Sequence, residues 1–146
     1  MSNFWLKSTA MRKLFLPLFF LLFSSSLFAQ QNKLRVVWDV SSADTSVHAS
    51  AFRQINNALA LEPDLEIELL FHGHAVKSML ITDKSFEARI KVAKEKGVNI
   101  SVCNNSLKRL NINPAELRPE ANIVPSAVVE LIRKQAAGWI YLKVAS

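Results

Sequence analysis

The stretch LRVVWDV, residues 34–40, decides the fold. It is a nearly continuous apolar run rich in β-branched residues, and such a run predicts a strand that is buried on both faces. Strands of this kind are typical of parallel sheets, whose crossover connections cover both faces of the sheet. The polar loop SSADTS follows at 41–46, and an apolar pattern with helical spacing comes after it. The sequence therefore predicts a parallel α/β fold.

Strands and helices continue to alternate along the rest of the chain. Besides Leu34–Val40, the predicted strands are Leu65–Phe71, Val98–Val102 and Trp139–Val144, with a weaker one at Ile123 and Val124. Helices are predicted over about 47–59, 85–96 and 125–138, and a helix start with a capping box is predicted at 113–116. We expect one three-layer α/β domain, with a core that includes Val37, Phe52, Ile55, Leu69, Ile90, Ile100, Val129, Ile132 and Ile140.

The N-terminal segment has the features of a secretory signal peptide. Arg12 and Lys13 precede the apolar run LFLPLFFLLF, and small and polar residues follow it. The run is shorter than the about 20 apolar residues that a membrane span needs. We expect residues 1–29 to be a signal peptide cleaved after Ala29, which implies a periplasmic protein with no stable membrane insertion after cleavage. A retained N-terminal anchor is the alternative, and Met11 is an alternative start.

The remaining residues, 30–146, are predicted to form the single domain. This part has 15 basic and 12 acidic residues, a net charge of +3, so nothing in its charge calls for a nucleic-acid partner. Its single cysteine excludes an intramolecular disulfide scaffold, so packing has to stabilise the fold. The apolar content is high for a domain of this length, and excess apolar surface is often buried between subunits. We expect the protein to form homo-oligomers.

Cys103 lies where an α/β fold places its chemistry, at the carboxyl end of a strand. If NNSLKRL, residues 104–110, opens as a helical turn, its amides face the sulfur and favour the thiolate. The polar residues Asn104, Asn105 and Ser106 add donors at this position. Two interpretations fit the spacing: a reactive thiol, or a small buried side chain with no chemical role.

Other polar residues follow the first two predicted strands. Ser41 follows the first strand, and His72, Gly73 and His74 follow the second. Asp39 and Asp44 fit either a small-ligand site or caps of the next helix. His72 and His74 could join Cys103 in a metal site, with His48 as a distant fourth candidate, but a loop built around a Gly73 turn explains the histidines without a metal. The loop after the first strand contains no glycine, which weighs against a nucleotide cofactor. We predict no cofactor and no metal.

Four segments together resemble the DsrE/DsrF-like family, particularly its secreted single-domain members. They are VVWDVSS, IELLFHGHAV, KGVNISVCNNSL and IVPSAVVELIRKQAAGWIYL, and they span nearly all of residues 34–144. The resemblance implies a three-layer sandwich with a mainly parallel five-stranded sheet, usually in homo-oligomers. In sulfur-relay members a cysteine after a GV strand accepts sulfane sulfur as a persulfide and passes it to a partner, and Cys103 matches that position.

Three functions follow from these features. In the first, the protein is a periplasmic sulfur carrier that uses Cys103 and exchanges sulfur with a donor or acceptor protein. In the second, it is a non-catalytic module that binds a small ligand or a partner through Ser41, His72, Gly73, His74, Asn104 and Asn105. In the third, it binds a metal through His72, His74 and Cys103. A carrier needs a thiolate, access to the sulfur and a docking surface, and it requires neither a metal nor an acid–base pair.

Overall fold

Residues 33–144 are described by a computed structural model, so the predicted signal peptide at 1–29 lies outside the described residues. The strands are β1 (Arg35–Val40), β2 (Glu66–Phe71), β3 (Asn99–Cys103), β4 (Ala121–Val124) and β5 (Ile140–Lys143). They form one sheet in the order β4-β3-β2-β1-β5, and every neighbouring pair is parallel. The predicted parallel α/β fold is confirmed, and the weak strand at Ile123 and Val124 is β4.

The helices are α1 (Thr45–Leu61), α2 (Glu87–Glu95), α3 (Asn104–Arg109) and α4 (Ala127–Ala136), with 3₁₀ helices at Gly73–Met79 and Pro114–Glu116. The capping box predicted at Asn113 is present, but it starts only one 3₁₀ turn. Arg118 precedes Pro119, and the residue before a proline is sterically disfavoured in a helix. Within residues 33–144, we find no helix with the length and apolarity needed to cross a membrane.

The first face of the sheet carries the main apolar core. Alternate strand residues such as Trp38, Leu69 and Ile100 point to this face, because successive side chains of a strand point to opposite sides. They pack against α1, α2, α3 and the longer 3₁₀ helix through residues that include Phe52, Ile55, Ile90, Met79 and Leu107. Non-polar burial on this face is therefore the main source of stability for the fold.

The second face of the sheet is more polar and is covered by α4. Val37, Leu70 and Cys103 form a small apolar cluster here with Ala127 of α4. Buried polar side chains share this face, among them Asp39, Glu68 and Ser101. Buried polar groups require partners to offset the loss of hydration. Their presence makes this face the one on which to look for a functional site.

Three residues predicted for the core are exposed instead. Val129, Ile132 and Ile140 have exposed fractions of 42%, 60% and 47%. The prediction was wrong for α4 because this helix meets the sheet through Ala127 and partly buried side chains such as Leu131, which turns Val129 and Ile132 outward. It was wrong for Ile140 because β5 is an edge strand whose four residues are all exposed. The other six predicted core residues are buried.

We expect the replacement Ile100→Ala to lower the free energy of unfolding by about 2–5 kcal/mol, through lost burial and the cavity left behind. Ile100 lies in β3 and is fully buried on the first face. Ile123, in the neighbouring edge strand β4, is largely exposed, and Ile123→Ala is the matched control. Urea denaturation of both variants measures the difference, and equal losses would contradict the assignment of the core.

Candidate functional site

The sulfur of Cys103 lies at the carboxyl end of β3, where α3 begins. Cys103 is the N-cap residue of α3, and its side chain makes no capping hydrogen bond; the nearby Ser106 hydroxyl and the Asn105 and Ser106 amides lower the pKa of its thiol. The Ala127 amide, at the start of α4, donates to it from the other side at 3.3 Å. Two chain segments therefore direct N–H and O–H groups toward one sulfur atom.

These donors favour the negatively charged form of the sulfur. Burial of the thiol raises the pKa of Cys103, but the polar groups of Ser106, Ala127 and Asn105 outweigh it and bring the pKa below its ordinary value. The residue itself is only 4% exposed. The arrangement stabilises a recessed thiolate, and the same donors suit any anionic sulfur at this position.

The loop after β2 is joined to the Cys103 region through Ser106. The Gly73 amide donates to the Ser106 oxygen at 2.9 Å, which leaves the Ser106 hydroxyl free to donate to the sulfur. Gly73 has φ +58°, and a Cβ placed there would lie 3.0 Å from the Ser41 carbonyl oxygen. Glycine is therefore required on both conformational and steric grounds. The ends of β1, β2 and β3 meet at this point.

A buried carboxylate lies at the same edge of the second face. Asp39 Oδ1 lies 2.5 Å from His72 Nε2, and Asp39 Oδ2 accepts a 2.9 Å hydrogen bond from the Tyr141 hydroxyl. Burial raises the pKa of Asp39, but the bonds to His72 and Tyr141 and the charges of His72 and Lys143 lower it more, so Asp39 is ionised. Burial and the bond to Asp39 raise the pKa of Tyr141 to about 12.

The structure separates the predicted site residues into two groups. Ser41, His72 and Gly73 lie together at the strand ends, and the Asn105 amide contacts the Cys103 sulfur. The side chains of His74 and Asn104 have no part in these contacts; His74 is exposed and Asn104 is partly exposed. The roles predicted for all six ligand-binding residues remain predictions.

The alternative metal site is not formed. Across the part of the chain that the structure describes, no group of three or more histidine, cysteine or acidic residues is arranged to hold a metal ion. His48 is buried against Phe71 and Phe86 of the first face, and its Nδ1 pairs with the Ser78 hydroxyl at 2.6 Å and its Nε2 with the Ser42 carbonyl at 2.7 Å. These two hydrogen bonds stabilise the loop that follows β1. Asp44 is the N-cap of α1, as one of the two interpretations predicted.

Sequence reasoning missed three contributors to the site. The Ala127 amide gives no sequence signal, because any residue other than proline supplies it. Tyr141 and Lys143 were assigned only to a strand, although their alternation with Ile140 and Leu142 in IYLK placed them together on one face. Only the position of β5 next to β1 in the sheet shows that the side chains on this face of β5 lie near Asp39.

Comparisons with known proteins identify the family of the chain. The profile of the DsrE/DsrF-like family matches residues 27–144. The chain belongs to the DsrE/DsrF-like family. A search of curated proteins gives no match. The resemblance inferred from the four sequence segments is therefore confirmed, and membership of this DsrE-like family is often linked to sulfur relay.

Solved structures share the DsrE-like fold. A protein of unknown function from Methanobacterium thermoautotrophicum, MTH1491, is 22% identical with a TM-score of 0.72, and the match covers 76% of this chain and 99% of that one. The YchN protein of E. coli is 16% identical with a TM-score of 0.63, covering 76% and 97%. BT1422 from Bacteroides thetaiotaomicron, a conserved protein of unknown function, is 16% identical with a TM-score of 0.55, covering 80% and 98%. At these identities the likeness concerns the fold alone.

Proposed function

We propose that this DsrE-like protein is a periplasmic carrier of sulfane sulfur that holds its cargo as a persulfide on Cys103. The observation that carries the proposal is the set of donors around the Cys103 sulfur, from Ser106, Asn105 and Ala127. These groups lower the pKa of the thiol, and the thiolate is the form that attacks sulfur. Family membership supports the same chemistry.

The transfer step exchanges one S–S bond for another, so it needs no added oxidant. The Cys103 thiolate attacks the terminal sulfur of a donor persulfide, and a new S–S bond forms on Cys103 as the S–S bond of the donor breaks. The electron pair of the broken bond leaves with the donor sulfur, which becomes a thiolate and takes up a proton. Passing the sulfur to an acceptor thiol repeats the same exchange. The Ser106 hydroxyl and the surrounding amides are donors suited to a persulfide anion as well as to a thiolate.

Intact mass spectrometry tests this proposal. The full-length gene is expressed with export, and protein from the periplasm is measured before and after incubation with a polysulfide donor. We expect the chain to begin at Gln30 and to gain the mass of sulfur, which a reductant then removes. Cys103→Ser is the control and should gain none. A wild-type chain that stays unmodified, or full-length protein recovered from the inner membrane, would contradict the proposal.

A second function is a non-catalytic module that binds a small ligand or a partner at the same strand ends. The 4% exposure of Cys103 favours it, because a reacting sulfur has to be reached by its donor. Titration of thiolate absorbance, with Cys103→Ser as the blank, separates the two functions. A carrier requires a pKa below the free value of about 8.5. A pKa above that value, with no labelling by a small alkylating reagent, supports the binding module.

A further inference from the structure

The carrier chemistry gives no role to the cluster that Asp39 forms with His72 and Tyr141. Three strands that are distant in sequence converge on this carboxylate: Asp39 is in β1, His72 follows β2 and Tyr141 is in β5. The Asp39 side chain is 6% exposed, whereas that of His72 is 28% exposed. The cluster therefore has a buried anionic end and an imidazole that reaches toward solvent.

The register of the sheet makes His72 and Cys103 neighbouring residues of adjacent chain segments. Phe71 of β2 pairs with Val102 of β3, and His72 and Cys103 are the next residues of the two chains. The extended path of β2 continues through His72, whose amide bonds to the Val40 carbonyl at 3.0 Å. The next amide, that of Gly73, bonds to Ser106, which contacts the Cys103 sulfur. The two side chains thus belong to adjacent strands at one edge of the second face.

The contacts of Asp39 also decide which ring nitrogen of His72 is available. Because Asp39 is ionised, His72 Nε2 carries a proton and donates it to Oδ1. Nδ1 is then the ring nitrogen that is not held by Asp39. The Tyr141 hydroxyl holds the second oxygen of Asp39, so the carboxylate and the imidazole are fixed in one orientation. An imidazole oriented in this way by a carboxylate is suited to general acid–base work at a thiol.

We propose that His72 moves the proton of sulfur transfer at Cys103, with Asp39 and Tyr141 as positioning residues. This inference rests on the proposed carrier function. His72 Nδ1 takes the proton of the Cys103 thiol, directly or through one water. The thiolate then attacks the terminal sulfur of a persulfide, and Nδ1 returns the proton to the thiolate that leaves the donor. The S–S bond broken in the donor is replaced by one on Cys103, and no net oxidation occurs.

Several charged and titratable groups surround His72. Asp39 and Lys143 are paired in register on the second face, and Tyr141 completes the cluster on the side of β5. On the other side are Cys103 of β3 and Arg109 of α3, whose guanidinium lies close to Gly73. His72 therefore has one ionised carboxylate, Asp39, and two basic side chains, Arg109 and Lys143, in its surroundings.

The test compares donors that differ in the acidity of the thiol they release. Rates of sulfur uptake by the mature protein are measured from about pH 5 to pH 9. One donor is the persulfide of an alkyl thiol, and the alkyl thiolate that it releases needs a proton as it leaves. The other is the persulfide of an acidic aryl thiol, and the aryl thiolate that it releases leaves as the anion. Alkylation by iodoacetamide is measured in parallel, because its iodide leaving group needs no proton.

The main variant is His72→Gln, whose amide can still donate to Asp39. His74→Gln is the matched control, since His74 is an exposed histidine two residues away. We expect His72→Gln to slow uptake from the alkyl donor by about 100-fold, the lower range for general acid–base catalysis. Uptake from the aryl donor should fall far less, and alkylation at high pH should be unchanged. Tyr141→Phe should show the same donor dependence with a smaller loss.

Three results would overturn the inference about His72. The first is a His72→Gln variant with the same rates as His74→Gln. The second is an equal loss with both donors and with iodoacetamide at high pH, where no proton has to be removed from the thiol; this would mean that the change only disturbs the fold. The third is a Tyr141→Phe variant with no donor dependence at all. If wild-type Cys103 takes up no sulfur from either donor, the carrier function itself fails, so the two failures are distinguishable.

Discussion

Replacing Lys134 with methionine is expected to lower the free energy of unfolding by about 3–5 kcal/mol, the usual cost of removing one partner of a buried ion pair. Lys134 Nζ, on α4, lies 2.6 Å from Glu68 Oε2 in the middle of the second face. The Glu68 side chain is 1% exposed, and neither of its oxygens has a well-directed hydrogen bond among the described residues. Without the ammonium group, a buried carboxylate is left uncompensated.

Packing around Lys134 adds to this effect. Nζ lies 3.9 Å from the centroid of the Trp139 ring and 3.8 Å from Glu130 Oε1. The ammonium group thus holds α4 to the sheet and to the start of β5. A cation this close to an indole contributes about 0.5–2 kcal/mol on its own. Methionine keeps most of the aliphatic volume, so the expected loss reports the charge more than the shape.

Chemical denaturation of Lys134→Met measures the loss, and Lys91→Met on the exposed side of α2 is the control. We expect the control to change stability by less than about 0.5 kcal/mol, as is usual for surface substitutions. Adding Glu68→Gln to Lys134→Met should recover much of the loss, which a double-mutant cycle quantifies. Equal effects of the two lysine variants would show that the pair contributes nothing to the fold.

We propose that the protein self-associates, and the change Ile132→Glu is expected to abolish this association. Val128, Val129 and Ile132 form an exposed apolar stripe along α4, because residues three and four apart lie on the same side of a helix. We propose that this stripe is covered by a second copy of the chain. A glutamate there would place an unpaired charge in an apolar interface, at a cost of several kcal/mol. Each 1.4 kcal/mol weakens association about tenfold.

Light scattering at tens of micromolar (roughly the range in which weak dimers form) distinguishes the outcomes. Leu61→Glu, at the end of α1, is the matched control, since Leu61 is highly exposed but lies outside the stripe. We expect the wild type and the control to remain oligomeric and Ile132→Glu to dissociate. A monomeric wild type, or an oligomeric Ile132→Glu variant, would exclude the stripe as the contact surface.

The sequence was sufficient to predict the architecture because the architecture follows from local sequence patterns. Continuous apolar runs predicted β1 and β2, and helical spacing ended by Pro63 or Gly97 predicted α1 and α2. The orientation of α4 was not predictable in the same way. Val129 and Ile132 have the composition of core residues, and only the placement of α4 on the sheet shows which side of the helix faces out. A surface buried between subunits gives the same sequence pattern as an internal core.

The site was predictable only in part for a related reason. Cys103, His72 and Gly73 follow strands, and a parallel sheet brings all strand ends to one edge, so their proximity follows from the fold class. The link between Asp39 and His72 required the register of β1 against β2, and the link to Tyr141 required the order of the strands. The polar second face was also unexpected. Both faces of β1 are buried as predicted, but one of them carries Asp39.

The position of β5 has a consequence for how the protein matures during synthesis. β1, β2, β3 and β4 lie side by side in the sheet in their order along the chain, whereas β5 lies on the other side of β1. Tyr141 and Asp39 are 102 positions apart in sequence. Contacts of such long range form late, because the intervening chain must first be ordered. Until β5 pairs with β1, the Asp39 carboxylate therefore has only His72 as a side-chain partner. Pairing of β5 with β1 completes the sheet and this cluster in one step.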